Sequence, residues 1–341
     1  MHRTIRAALL VLVVVCGRET IADEPFAIPG SLRKSVEDEL AMKTFGGRQF
    51  WGDLQFFHGW RIQQNVFTRH CRLLDGYDNR HAWGTFEECQ QKLAQIRKDQ
   101  KLPPMSGRGV VLVHGILRSS KCMTAMAAAA REAGFEPFQF DYPSTQVSIP
   151  LAAEYLDKSI QSLEGIEELY IVAHSMGGLV TRAYFADHRD PRIKRAVMLG
   201  SPNQGAELAD LLHQNLLVKA AAGPGGRQLV TDADGLIPKL PTPGCDFAVI
   251  AGARGNRAGW NPFISGDDDG TVTVQSTRLV GAADFSTVNA THSAILRNPE
   301  AIDQTFRFLK EGRLCADRPC EPITAPPAED PATQPEVPPK S

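Results

Sequence analysis

From Gly109 onward, short uninterrupted apolar runs alternate with segments of helical length, and this alternation leaves few architectures open. Val110-Val111-Leu112-Val113 is apolar at every position, as a strand covered on both faces must be. Residues 137–140, 169–172, 195–199, 247–250 and 285–288 repeat the pattern as further strand candidates. Between them lie helix candidates. One is capped by Ser119, runs through Ala127-Ala128-Ala129-Ala130 and stops at Gly134; the others span 150–163, 176–186 and 299–309. Strands alternating with helices predict an α/β fold, a mostly parallel sheet with helices on both faces.

The flanking segments differ in character. Residues 23–100 carry an aromatic cluster (Phe50-Trp51, Phe56-Phe57, Trp60), strand-like stretches over 60–74 and a helix over 85–97. They are expected to form an N-terminal extension packed on the core, with antiparallel edge strands ahead of the parallel sheet. The core itself is expected over 101–314. The long insertion at 203–244 carries Leu208, Leu211, Leu212 and Leu216 at helical spacing, so it is either a cap over the site or a helix packed on the sheet. Residues 315–341 are Pro-rich and polar, a composition that predicts a disordered tail.

The first 22 residues read as an export signal. Arg3 and Arg6 precede an apolar run at 7–15, shorter than the roughly 20 residues a spanning helix needs. Thr20-Ile21-Ala22 places a small residue before Asp23, where cleavage is expected. Lipid anchoring at Cys16 is disfavoured by the bulky Val15 before it. The chain is expected to be exported: periplasmic, cell-surface or secreted. Removing Cys16 leaves six of the seven cysteines. Cys71 with Cys89 and Cys315 with Cys320 are local disulfide candidates, with buried free thiols as the alternative.

Composition narrows the function. Of the 341 residues 22% are charged and the net charge is -2, without the basic stripe of a nucleic-acid surface. There is no P-loop, and no Cys-x-x-Cys pair to suggest a zinc or thioredoxin-like centre.

The chemistry concentrates in Ala173-His174-Ser175-Met176-Gly177-Gly178, between an apolar strand and a helix. A serine at such a junction sits on a tight turn with its hydroxyl projecting at the carboxyl end of the sheet. Ala173 stands where the literal G-x-S-x-G pattern has glycine, and remains small. The hydroxyl needs a base. His292 follows the last strand candidate and precedes the final helix, whereas His174 is expected to face away from the substrate side. An orienting carboxylate is expected after the fifth strand, where Asp267-Asp268-Asp269-Gly270 offers three; Asp269, before the glycine, is preferred. Calcium binding by the three is the competing reading, without a visible spread of further oxygen ligands. Two backbone N–H groups must face the developing oxyanion. Met176 and Ile116 are the candidates, with His114 and Gly115 supporting the loop.

Taken together, Val110-Val111-Leu112-Val113-His114-Gly115, the segment around Ser175, Gly200-Ser201-Pro202-Asn203-Gln204-Gly205 and Asp269-Gly270-Thr271-Val272 resemble bacterial lipases and lipase-like α/β-hydrolases. The resemblance covers about residues 109–312. It implies the α/β-hydrolase fold and a triad of Ser175, Asp269 and His292 cleaving esters through an acyl-enzyme. It also implies an ester or lipid-like substrate, contact with lipid interfaces, no cofactor and no metal. Acyl transfer or amide hydrolysis would use the same residues. A non-catalytic binding protein on this scaffold would be marked by a missing triad member, and none is missing. Intact mass of the protein exported by its native host is expected to correspond to a chain beginning at Asp23; a retained segment 1–22 would contradict the signal reading.

Overall fold

The computed structural model describes residues 48–206 and 223–324, which belong to one compact unit. Residues 1–47, which include the stretch read as an export signal, Leu208, Leu211, Leu212 and Leu216 of the insertion, and residues 325–341 of the tail lie outside the described residues.

The core is a six-stranded sheet made from β5 (Arg108–Val113), β6 (Glu136–Phe140), β7 (Glu168–His174), β8 (Ile193–Leu199), β9 (Asp246–Ala253) and β10 (Asp284–Asn289). Its order is β10-β9-β8-β7-β5-β6, and every pairing is parallel. Alternate side chains of each strand enter two separate cores. Val111, Ile171, Met198 and Val249 pack with α3 (Ile149–Gln161) and α4 (Met176–Asp187). Val110, Val172, Val197 and Ile250 pack on the opposite face with α2 (Thr124–Glu132) and α5 (Pro299–Glu311). The continuous apolar runs are thus explained by burial on both faces. With the serine-bearing turn at the end of β7, this is the α/β-hydrolase fold.

Local signals set the helix ends. The Thr85 hydroxyl accepts from Glu88 N–H while Glu88 bonds back to Thr85 N–H, a capping box that opens α1 (Phe86–Asp99). Ser148 and Asn298 cap α3 and α5 with their side chains. Ser119 does not cap a helix as expected. A short 3-10 turn, Ser120–Met123, intervenes before α2, because Ser120 is bound by Asp141 instead.

The N-terminal region departs from expectation. Its strands β1 (Trp51–Phe57), β2 (Trp60–Asn65), β3 (Cys71–Leu74) and β4 (Arg80–Gly84) form a sheet of their own, antiparallel throughout, rather than edges of the parallel sheet. The aromatic cluster includes strand residues: Trp51, Phe56 and Phe57 lie on β1, and Phe56 and Phe57 join the core that holds α3. The Asp53 N–H donates to Asp141 O at 2.9 Å, a main-chain bond from β1 to the end of β6. Cys71 and Cys89 are buried free thiols, and Cys315 and Cys320 are also unjoined. Among the described residues no helix is long and apolar enough to cross a membrane.

Described parts of the insertion and of the tail expected to be disordered are fastened to the core. In the insertion, Leu229, Ile237 and Leu240 are buried. The Arg182 guanidinium on α4 donates to the carbonyls of Asn203, Ile237, Leu240 and Pro241 at 2.5–3.2 Å. After Cys315, Arg318 pairs with buried Asp284 and donates to Phe285 O of β10. Ile323 exchanges main-chain bonds with Gly281 and Ala282. Composition missed this because a handful of specific contacts, not bulk hydrophobicity, hold it.

Burial lowers Arg182 only to about 10, so it stays charged at neutral pH. Arg182→Met keeps most of the stem but strips donors from four carbonyls. The expected outcome is a loss of about 4 kcal/mol or more in urea unfolding, since buried groups left without partners cost about 1–3 kcal/mol each.

Candidate active site

Ser175 closes β7 and opens α4 with φ 55° and ψ -128°. A non-glycine residue in this region is strained, at a cost on the order of 1–3 kcal/mol. The turn is fixed by Ser175 N–H donating to Leu199 O (2.9 Å) and Gly178 N–H donating to Ser175 O (3.0 Å). Small neighbours are obligatory. A Cβ at Gly177 would stand 2.5 Å from Val113 O, and one at Gly115 would stand 2.8 Å from the Ser175 Cβ. Met176 is buried at the first position of α4, where helix N–H groups have no intrahelical partner.

The structure brings Ser175, His292 and Asp269 into one chain of contacts. His292 Nε2 lies 2.9 Å from Ser175 Oγ, and His292 Nδ1 lies 2.6 Å from Asp269 Oδ2. The His292 main-chain N–H also donates to Asp269 O at 2.7 Å. Because a carboxylate only accepts, Nδ1 carries the proton and Nε2 is left to accept from the serine. The other Asp269 oxygen accepts from the N–H groups of Thr271 (2.9 Å) and Val272 (2.8 Å), which fixes the carboxylate plane.

The three consecutive aspartates diverge. Asp268 is buried and accepts from the N–H groups of Trp260, Asn261 and Gly270, while Asp267 accepts from those of Arg254 and Gly255. They shape the loop that presents Asp269. Among the described residues no group of three or more His, Cys, Asp or Glu could hold a metal ion.

His114 is fully buried, stacked on Tyr142 at 4.4 Å, with Nδ1 2.7 Å from Gly115 O. The carbonyl accepts, so Nδ1 donates. A trans peptide carries its N–H opposite its C=O, so the Ile116 N–H points away from His114. Asp141 lies beside this imidazole, its Oδ1 3.7 Å from Nε2. Burial opposes the Asp141 charge, but Arg61, His114 and two bonds from Ser120 outweigh it and hold the carboxyl below its usual range. Arg61 comes from β2 and bonds to Asp141 Oδ2 at 3.0 Å. Nearby, burial pushes the Asp53 carboxyl up to about 7 despite Arg61.

Sequence reading missed Asp141, Tyr142 and Arg61. A signal existed for the first two: Asp141-Tyr142 follows β6 at the carboxyl end of the sheet, where ligand sites of such sheets lie. None marked Arg61, whose partner is 80 positions away. His174 has a use beyond facing away: its Nε2 lies 2.8 Å from His292 O, holding the histidine loop from below. Its Nδ1 is buried without a hydrogen-bond partner.

Residues 76–233 match a family model described as "Domain of unknown function (DUF7379)". None of the curated proteins matches the chain. Among solved structures, the mature Bacillus licheniformis lipase BlEst2 is 20% identical with a TM-score of 0.41, covering 57% of this chain and 89% of that one. A malate-bound thermophilic esterase from Thermogutta terrifontis is 16% identical with a TM-score of 0.43, covering 61% and 91%. A protein from Burkholderia cenocepacia described as a putative aryl esterase is 14% identical with a TM-score of 0.40, covering 60% and 90%.

Burial, with His292 beside it, holds the His174 imidazole well below its ordinary range, so it is neutral when folded. Unfolding restores a value of about 6.5. Below that pH the unfolded chain binds the extra proton, so the contribution to stability is complete above about pH 6.5 and is lost as the pH falls toward the folded value. His174→Asn is expected to make the unfolding free energy less steep between about pH 6.5 and 5 than in the wild type; equal slopes would contradict this.

Proposed function

We propose that this chain is a serine hydrolase that cleaves carboxylic ester bonds through an acyl-enzyme on Ser175. The observation that carries the reading is the 2.9 Å contact between His292 Nε2 and the hydroxyl of a serine held at φ 55°. Ser175 Oγ attacks the ester carbonyl carbon while His292 Nε2 takes its proton. Asp269 accepts from Nδ1–H, keeps the tautomer and stabilises the imidazolium. The negative oxygen of the tetrahedral intermediate takes hydrogen bonds from the N–H groups of Ile116 and Met176, and the start of α4 favours that charge. His292 then protonates the leaving alkoxide. Water repeats the sequence on the acyl-enzyme and frees Ser175.

Two exposed apolar side chains support an ester with an apolar acyl part, or a lipid. Leu117 follows Ile116 directly, and Trp260 lies against Gly270, next to Asp269. Action outside the cell fits the export signal read in residues 1–22.

A fluorophosphonate probe and a short-chain nitrophenyl ester test the reading. Labelling and turnover are expected in the wild type, and Ser175→Ala should abolish labelling. By analogy with serine proteases, Ser175→Ala or His292→Ala should cost about 10⁶-fold in kcat and Asp269→Asn about 10⁴-fold. Asp267→Asn should stay within a few-fold of wild type. Undiminished turnover by folded Ser175→Ala would overturn the proposal.

A further inference from the structure

Ile116 is followed by a residue that resists its own conformation. Leu117 has φ 57°, the left-handed region that a leucine rarely adopts, and its side chain is mostly exposed. Local packing therefore does not hold it, and such backbone persists only where surrounding contacts over-determine it.

Those contacts form a closed ring. The Leu117 N–H donates to Ser144 Oγ at 3.1 Å. Ser144 Oγ–H donates to Gln49 Oε1 at 3.0 Å. Gln49 Nε2 donates to Arg118 O at 2.7 Å. One glutamine amide thus engages the donor loop at two consecutive residues, once directly and once through a hydroxyl. Every donor meets an acceptor in one consistent direction.

Gln49 lies outside the parallel core, just before β1. Its neighbour Arg48 fixes it there, bonding to Asp78 at 2.5 Å and Asp141 at 3.4 Å. From the other side of the loop, Arg118 Nη2 donates to Ser293 Oγ at 2.6 Å, one residue beyond His292.

We propose that Gln49, acting through Ser144, is a positioning residue that holds the strained Leu117 backbone and thereby sets the direction of the Ile116 N–H during ester hydrolysis. The inference rests on the reading of Ser175 as an ester-cleaving nucleophile. Its consequence is a division of labour: the parallel core carries Ser175, Asp269 and His292, while the lead-in to the antiparallel sheet sets one oxyanion donor. A donor aimed at the developing oxyanion matters most in the transition state. Loosening it should therefore lower kcat more than it raises KM.

The test compares wild type, Gln49→Ala, Ser144→Ala and the double variant on a short-chain nitrophenyl ester. Binding of an alkyl boronic acid, which places a negative oxygen in the same position once bound to serine, is measured in parallel. Each single variant is expected to lose at least about ten-fold in kcat with KM within about twofold, because small misplacement of a catalytic group is costly. Boronic acid affinity should fall by a similar factor. The double variant should be little worse than the weaker single one, because both residues act on one backbone segment. Ser144→Ala deletes a single oxygen and carries the test should Gln49→Ala not fold. Wild-type kcat in a folded single variant, a loss confined to KM, or single losses that multiply in the double variant would overturn the inference. Fluorophosphonate labelling separates the two levels. An unlabelled wild type overturns the hydrolase reading itself, whereas normal labelling abolished by Ser175→Ala, with unchanged Gln49→Ala and Ser144→Ala kinetics, overturns only the positioning role.

Discussion

The chain must reverse from β7 into α4 within the single residue Ser175, and much of the molecule is arranged around that turn. A left-handed serine is tolerable only where its surroundings leave it no alternative. Here they come from three directions: Leu199 O on β8 receives its N–H, β5 runs close behind Gly177, and Gly115 crosses above it. Each of these needs the parallel sheet in correct register. The two buried cores that clamp the sheet are therefore also what keeps the Ser175 hydroxyl aimed outward.

Around this turn the polar groups divide into two systems with different electrostatics. His292 and Asp269 form a short, directional pair: His174 secures the His292 carbonyl, and the N–H groups of Thr271 and Val272 hold the Asp269 carboxylate. The second system, Arg61, Asp141, Ser120 and His114, is deeply buried and links β2 to the end of β6. Removing so many polar groups from water is costly unless each is paired. Mutual satisfaction of these groups makes the relative placement of the antiparallel sheet and the 114–118 loop specific, where apolar contact alone would tolerate sliding.

The parallel core was legible because its information is local and periodic: each strand is an apolar run, and helix ends carry their own caps. Ser175, Asp269 and His292 could be singled out because each sits at a junction between elements, with glycine or small residues alongside. The antiparallel sheet was only partly legible. Trp51 to Phe57 reads as an aromatic cluster because the strand is nearly all buried and lacks alternation. Ser119 looked like a cap, but a carboxylate 21 residues after Ser120 took over that corner. Contacts such as Gln49 with Arg118, or Arg61 with Asp141, have no local signature, since their chemistry exists only after distant segments meet.

The final described stretch has a consequence for how the molecule behaves among its own copies. β10 ends the parallel sheet on one side, and a bare terminal strand offers main-chain groups to any passing strand. Arg318 occupies the Phe285 carbonyl, and Ile323 takes up the main chain of Gly281 and Ala282 just before that strand. Buried Asp284 receives the N–H groups of Leu314 and Glu321, anchoring the covering segment at both ends. The start of β10 is thus already occupied, by a segment whose Pro319 and Pro322 lack the N–H groups with which a strand would extend the sheet.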